Sequence, residues 1–264
     1  MTRAGAGAFD TEVERELARL EARYRGAGGL GLEVINALGT RTEGLFERLP
    51  APVRNGLETA TERALHRAMK LAHGSRRLVG DDRGWLNAAV ASALGAAGGL
   101  GGASTALAEL PVTTTVLLRA IQGEAVKLGF DAASENVQFD CVQVFGAAGP
   151  LARDDGADLG FVSTRLALTN GALQTLIARV TPKLAVVLGQ KLAAQAVPVI
   201  GAMAGASINY AYLGYYQEVA HVHFGLRRLS IDAGVPHDDL VAEMQRRMGP
   251  KKLAGRAAGA RPRL

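Results

Sequence analysis

The stretch "KLAAQAVPVIGAMAGASINYAY", residues 191–212, carries one charge, on Lys191, and none after it. Small and aliphatic residues fill it, without the apolar and polar alternation of a half-buried strand. Pro198 restricts the residue before it, so we expect a break or a kink of the helical backbone at Val197. The stretch therefore predicts closely packed helical pieces, which lie either in a protein core or at a membrane.

The composition is typical of a folded, helical protein. Of the 264 residues, 48% are hydrophobic and 21% are charged, which excludes global disorder. The chain is rich in Ala, Leu and Val and only 5% aromatic, a mixture that favours helix over sheet. Cys141 is the single cysteine, and no apolar run of signal-peptide length opens the chain. We therefore expect a cytoplasmic protein without a signal peptide, either free or at the inner face of the cell membrane.

The excess positive charge is confined to the C-terminal end. The net charge is +5, and residues 249–264 contain five basic residues and no acidic one. Because the rest of the chain is neutral, the charge does not predict a nucleic-acid-binding face. Residues 249–264 are expected to form a basic flexible tail, which could also contact anionic lipid headgroups. With a disordered N-terminus at 1–8, the domain prediction is a single helical domain over 9–248.

Capping residues and proline mark the first helices. Thr11 and Glu14 have the spacing of a capping box. Pro52 stands near the start of a second helix, and Gly74 stands at its end. Pro111 opens a third helix that continues through "VTTTVLLRAIQGEAVKLG".

The remaining chain also reads as helix, interrupted by turn residues. A short amphipathic helix is expected in "SENVQFDCVQVFGAAG", followed by a flexible loop in "GPLARDDGADLG". Further helices are expected at 161–180, 182–196, 215–234 and 236–248. The predicted fold class is all-α, a multi-helix bundle.

Two long runs carry no charge, residues 84–108 and 192–217, of 25 and 26 residues. Their length would allow either to cross a bilayer. Small residues dominate both runs, however, and a break at Pro198 would leave helices too short to span. A simple transmembrane span is therefore not the favoured interpretation.

Glycine spacing in the two uncharged runs indicates close helix packing. Glycines four residues apart remove Cβ from one helix face, which lets two backbones approach, in a bilayer or in a soluble bundle. We therefore predict two glycine-rich apolar helical hairpins. The pairs with this spacing are Gly95 and Gly99, Gly98 and Gly102, and Gly201 and Gly205.

Several blocks of sequence carry a resemblance to a known family. "LPVTTT" at 110–115, "AAQAVPVIGA" at 193–202, "GASIN" at 205–209 and "HFGLRRL" at 223–229 occur in this order within residues 45–230. Together they resemble the EcsC family of bacterial proteins, named from an operon that encodes an ABC transporter linked to secretion and competence. The resemblance implies a membrane-associated accessory protein and no set of catalytic residues.

The sequence contains no recognised catalytic motif. Nucleophile elbows, C-x-x-C pairs, H-E-x-x-H zinc motifs and phosphate loops are all missing from it. Glu218 and His221 form one E-x-x-H pair, which di-metal bundles use on each of two helices. Glu109 or Glu124 could add oxygen ligands. With one such pair, metal binding is the lesser alternative, and no catalytic residue or cofactor is predicted.

Polar residues in apolar surroundings are candidates for ligand binding or helix packing. Three consecutive threonines after Pro111 are poor helix formers, so we expect a hydroxyl to bond a carbonyl one turn back, or to line a pocket. His223 lies about 200° from His221 around a helix, so the two cannot bind one ion, and a hydrogen-bonded packing role is expected. The candidates are Thr113, Thr114, Thr115, Gly95, Gly99, Gly201, Gly205, Asn209 and His223.

Two classes of function remain open. The first is a non-enzymatic helical protein that is membrane-associated or peripheral and accessory to an ABC transporter or a secretion process. The second is a soluble helical domain that binds a lipid or another apolar ligand, with a metal-binding enzyme less favoured. The expected partners are membrane lipid or a membrane protein complex, and not nucleic acid.

Overall fold

The structure is a computed structural model that describes residues 9–27, 49, 51–75, 110–146, 172–195 and 201–248. No strand occurs within these ranges, so the predicted all-α class is confirmed. The predicted ends at 1–8 and 249–264, the first uncharged run and the loop at 149–160 lie outside them. The helices are α1 (Thr11–Gly26), α2 (Ala51–Ser75), α3 (residues 110–127), α4 (Glu135–Phe145), α5 (Ala172–Gln195), α6 (Gly201–Ala233) and α7 (His237–Met248).

The start of α1 differs from the predicted capping box. Asp10 is the N-cap residue and makes no side-chain capping bond, and its carbonyl accepts from the Glu14 amide at 2.9 Å. Thr11 is therefore already inside the helix, and the capping-box prediction is wrong. Acidic residues in the first turn and basic residues in the last turn complement the helix dipole instead.

Helix α5 runs through Pro182, although the sequence predicted separate segments on either side of it. Proline at 182 leaves the carbonyl of Ala178 without its helical N–H donor, but Pro182 and Ala178 are both exposed, so water can satisfy that carbonyl. The hydroxyl of Thr181 donates to the carbonyl of Ile177 at 2.7 Å and satisfies one polar group in the same turn. The proline is therefore accommodated inside a continuous helix.

Helix α6 is longer than expected and contacts four of the other helices. Its 33 residues extend about 50 Å and join the glycine-rich start to the segment predicted separately at 215–234. It packs against α1, α4, α5 and α7. The predicted break at Val197 lies outside the described residues.

Most of the core is formed where α2 to α6 meet. Helix α4 begins at Ser134, whose hydroxyl accepts from the Val137 amide at 3.4 Å. Seven of its 11 residues are buried, and the four that are not, Glu135, Asn136, Gln138 and Asp140, are polar, so the predicted short amphipathic helix is present with a wide buried face. The largest fully buried side chains of this core are Tyr212, Tyr216, Phe145, Phe224, Leu65, Leu117, Leu118 and Ile121.

A second core joins α1 and α7 to the C-terminal half of α6. Leu17 and Leu20 of α1 pack with Leu226 of α6 and Leu240 of α7. A Cβ on Gly225 would lie 2.6 Å from Cδ2 of Leu20, so the two helices approach closely there. Gly225 was not among the glycines for which the sequence predicted close helix packing.

Helices α5 and α6 form a hairpin, which we call the α5–α6 hairpin. The five residues 196–200 connect them and reach at most about 20 Å, whereas α5 is about 36 Å long. Two contacting helices joined so briefly cannot run parallel. Leu184 and Val187 of α5 share the main core with Tyr212 and Tyr216 of α6, which fixes the body of the hairpin.

Candidate functional site

Charged side chains meet along the C-terminal half of α6. We call this row the polar ladder, and it consists of Glu218, His221, His223 and Arg227 with their partners on three other helical regions. Helical spacing directs Glu218 and His221 to a different side of α6 from His223 and Arg227. The ladder therefore connects one helix to several neighbours.

The first connection joins α6 to α1. Arg23 donates from Nε to Oε2 of Glu218 at 2.8 Å and from Nη2 to Oε1 at 3.0 Å. This two-bond geometry fixes both side chains more firmly than a single contact would. Because the pair is partly exposed, it contributes mainly to orientation.

The second connection joins α6 to α3. Nδ1 of His221 lies 3.0 Å from Oε2 of Glu124, and Nζ of Lys127 donates to Oε1 at 2.6 Å. Burial alone would raise the pKa of Glu124, but the hydrogen bonds from His221 and Lys127 outweigh it and lower the pKa. Glu124 is therefore ionised, and its carboxylate accepts from the Nδ1–H of His221.

The third connection joins α6 to α4. Nη1 of Arg227 donates to Oδ2 of Asp140, and Nε2 of His223 lies 3.6 Å from the same oxygen. Burial would raise the pKa of Asp140, but His223 and Arg227 outweigh it and lower the pKa. The Arg227 guanidinium also lies 4.8 Å from the centre of the Phe130 ring, and the His223 ring meets Phe224 edge-on.

The ladder holds α6 in place. Glu218 and His221, the E-x-x-H pair considered for metal binding, reach Arg23 on α1 and Glu124 on α3 respectively. Within the described ranges, no group of three or more His, Cys, Asp or Glu side chains lies close enough to hold a metal ion. Each carboxylate in the ladder faces a cation or an imidazole, which is the arrangement of a structural anchor.

Of the three candidate threonines, one makes the expected contact. Thr115 donates from its hydroxyl to the carbonyl of Pro111 at 2.6 Å, one turn back. Thr114 is fully buried, and its hydroxyl has no hydrogen-bond partner among the residues that the structure describes. Thr113 is buried as well.

The other candidates are distributed along α6 or lie outside the described residues. His223 is buried beside Asp140, consistent with the packing role expected of it. Gly201, Gly205 and Asn209 lie in the first three turns of α6, and the packing around them lies outside the described part of the structure. The pair Gly95 and Gly99 lies outside the described ranges, as do Gly98 and Gly102.

The half of the α5–α6 hairpin nearest to residues 196–200 differs from the ladder in its chemistry. Lys191 is the only charged residue in residues 187–210. Val186 is 48% exposed nine residues before the end of α5, and Tyr210 is 62% exposed nine residues after the start of α6. Both therefore stand about 14 Å from their helix ends, at the base of a nearly uncharged tip.

Length and apolarity decide whether a helix such as α5 or α6 can cross a membrane. In the part of the chain that the structure describes, no helix combines the length and the apolarity needed to cross a bilayer. The expectation that the uncharged runs are not simple spans is supported for α5 and α6.

Several residues of these sites were not singled out from the sequence. Asp140 carries one signal, because it is the single charge in "QFDCVQVF", whereas Arg227 stands beside a second arginine in "HFGLRRL". A buried charge needs a partner, but the sequence does not say which one. Val186 and Tyr210 carry no such signal, since single apolar residues do not reveal their exposure.

Comparison with known proteins identifies a family and nothing closer. No curated protein and no solved structure matches the chain. The family model of the EcsC protein family matches residues 42–229, which is more than half of the 264 residues and includes α2 to α5 and most of α6. The resemblance carried by the "LPVTTT" and "AAQAVPVIGA" blocks is thereby confirmed, and the chain belongs to the EcsC protein family.

Proposed function

We propose that this protein is a non-enzymatic, membrane-peripheral member of the EcsC family that inserts the tip of its α5–α6 hairpin into one leaflet of a bilayer. The observation that carries the proposal is the pair of exposed apolar side chains, Val186 and Tyr210, at the base of a tip with a single charge. Val187 and Leu188 still pack inside the protein, and α5 continues about 10 Å beyond them, a depth that fits within one leaflet of a hydrocarbon core about 30 Å thick.

The side chains at the base of the tip suit a membrane interface. Tyrosine combines an apolar ring with a hydroxyl that can remain hydrated, and it is enriched where hydrocarbon meets water. Lys191, the only charge beyond this level, has a long apolar stem that can carry its ammonium group back to the headgroups. A bilayer would cover the apolar side chains at the base of the tip.

The polar ladder supports this function indirectly. It fixes the C-terminal half of α6 to α1, α3 and α4, so the orientation of the hairpin relative to these helices is fixed. Attachment to one leaflet would place the protein beside membrane complexes, such as the ABC transporter or secretion machinery that we propose as its partner class.

Flotation with phospholipid vesicles tests the proposal. Wild-type protein should float with the vesicles, and the double variant Val186→Ser, Tyr210→Ser should partition about tenfold less, since it loses apolar contact with lipid. Ile231→Ser is the matched control, because Ile231 is 61% exposed but lies near the opposite end of α6. It should float like the wild type.

Two results would count against membrane attachment. Wild-type protein that stays wholly in the soluble fraction with vesicles, at low and high salt alike, would contradict it. Equal losses in the Ile231 variant and the double variant would show that the hairpin tip has no special role.

A further inference from the structure

The exposed face of α5 is basic and contains no acid. Arg179 and Lys183 lie on this face with Ala178, Pro182 and Val186, and all five are exposed. No aspartate or glutamate occurs anywhere in the 24 residues of α5. Residues at this spacing form one stripe along a helix, so two cations and an apolar side chain follow one another along the hairpin toward its tip.

On α1 and α7, several exposed arginines pair with acids of their own helix. On α1, Arg19 pairs with Glu16 and Arg25 pairs with Glu21. On α7, Arg246 and Arg247 both pair with Glu243.

Among the described residues, Arg179 and Lys183 have no acidic partner. Helix α5 therefore presents positive charge that the described protein does not compensate. An anionic surface outside the protein would provide that compensation.

We infer that the exposed face of α5 is a docking surface for anionic phospholipid headgroups. Helix α5 enters the bilayer at Val186, which lies at the hydrocarbon boundary. Lys183 and Arg179 precede Val186 by three and seven residues, so they lie about 4.5 Å and 10.5 Å outside that boundary, beside headgroup phosphates. This lipid preference rests on the proposed attachment of the hairpin tip. It adds selectivity for anionic membranes to the attachment that the apolar tip provides.

The charge and the apolar side chains of this surface together favour lipid over other anionic partners. A basic stripe that continues into exposed apolar side chains matches a charged surface with hydrocarbon beneath it. A nucleic acid offers phosphates but no apolar layer to cover Val186 and Tyr210, which are 48% and 62% exposed. Each basic residue near an anionic leaflet strengthens binding about fivefold, so two should contribute roughly 25-fold.

Vesicle flotation with two lipid compositions provides the test. Wild-type protein should bind vesicles containing about 30% phosphatidylserine more than tenfold better than pure phosphatidylcholine vesicles, and about 0.5 M NaCl should remove the difference. The variant Arg179→Gln, Lys183→Gln should lose the preference and keep its binding to neutral vesicles. The control Arg15→Gln, Arg19→Gln changes the net charge equally, on α1, and should keep the preference within about twofold.

The possible failures are distinguishable. Wild-type binding that is equal on both compositions, or a preference that survives Arg179→Gln, Lys183→Gln, overturns the headgroup surface and leaves the hairpin anchor standing. Absence of binding to both compositions overturns the anchor, and the headgroup surface with it. Salt-sensitive binding of a short duplex DNA through Arg179 and Lys183, without any vesicle preference, would also overturn the assignment to lipid.

Discussion

Nδ1 of His221 lies 3.0 Å from Oε2 of Glu124, although 97 residues separate the two in the chain. Glu124 is 6% exposed as a side chain, and His221 is 21% exposed. A buried carboxylate that loses one of its donors retains the cost of its desolvation without the compensating bond. The pair therefore fixes the rotation of α6 relative to α3.

Removing the imidazole should destabilise the protein. We expect His221→Ala to lower the free energy of unfolding by about 1–3 kcal/mol, because Glu124 stays buried with only Lys127 as partner. Urea unfolding followed by circular dichroism measures the change. Arg228→Ala is the control: it breaks the exposed pair with Asp232 and should leave the unfolding midpoint unchanged. Equal effects of the two variants would contradict the anchoring role of His221.

Acid should destabilise the protein through Glu124 and Asp140. Both have a lowered pKa in the folded state, so the unfolded chain binds more protons as the medium is acidified. Each contribution is complete above the unfolded pKa, about 4.5 for Glu124 and about 3.8 for Asp140, and it is lost as the pH falls from there through the lower folded pKa. Denaturant unfolding between about pH 6 and pH 3 measures this loss.

The matched variant for the acid effect is Glu124→Gln, Asp140→Asn. It should be less stable than the wild type near pH 6, and its stability should depend less on pH below about 4.5. If its curve of stability against pH runs parallel to that of the wild type, the two carboxylates are not the source of the acid sensitivity.

The family and the fold class could be predicted from the sequence, but the exact bounds of some helices could not. Helical composition and the blocks "LPVTTT" and "AAQAVPVIGA" sufficed for the all-α class and the family. Pro182 misled the prediction, because a proline on an exposed helix face interrupts bonding without ending the helix. The prediction of a capping box at Thr11 was wrong because a pattern of two residues does not fix where a helix begins. The helix begins at Thr11 itself, and Asp10 is the N-cap residue.

The candidate site depends on relations between distant segments. Glu218 and His221 are correctly spaced on one helix face, yet their partners, Arg23 and Glu124, come from two other helices. Nothing local in the chain specifies those pairings, which follow from how the whole bundle packs. The exposure of Arg179 and Lys183 is likewise a property of packing, whereas the absence of acids from α5 is visible in its sequence.

Alanine in place of each of two glycines of α6 should affect the stability of the protein differently. A Cβ on Gly225 would lie 2.6 Å from Cδ2 of Leu20, which is itself buried, whereas a Cβ on Gly214 would meet nothing within 4 Å. Both substitutions gain about 1 kcal/mol of helix propensity. Overpacking should cost Gly225→Ala about 1–3 kcal/mol, so it should be less stable than Gly214→Ala by that amount.

Thermal or urea unfolding of the two glycine variants compares them directly. Because helix propensity is common to both, the difference isolates the contact between α6 and α1. Equal stability of the two variants would mean that Leu20 can move aside, and that the close approach of the helices is not required.

The amide of Gln122 offers a test of the alternative in which the bundle encloses a ligand. Gln122 is 0% exposed, and within the described residues neither its amide nitrogen nor its carbonyl oxygen has a hydrogen-bond partner. If the site is empty, Gln122→Met removes the cost of burying a polar group at similar volume and should stabilise the protein by about 1–3 kcal/mol. Gln143 is also buried but is engaged by a neighbour, so Gln143→Met should lose stability. Denaturant unfolding of both variants decides the question: a Gln122→Met variant destabilised like Gln143→Met would mean that a bound ligand or water satisfies the amide, and would favour an enclosed polar ligand group over a dry core.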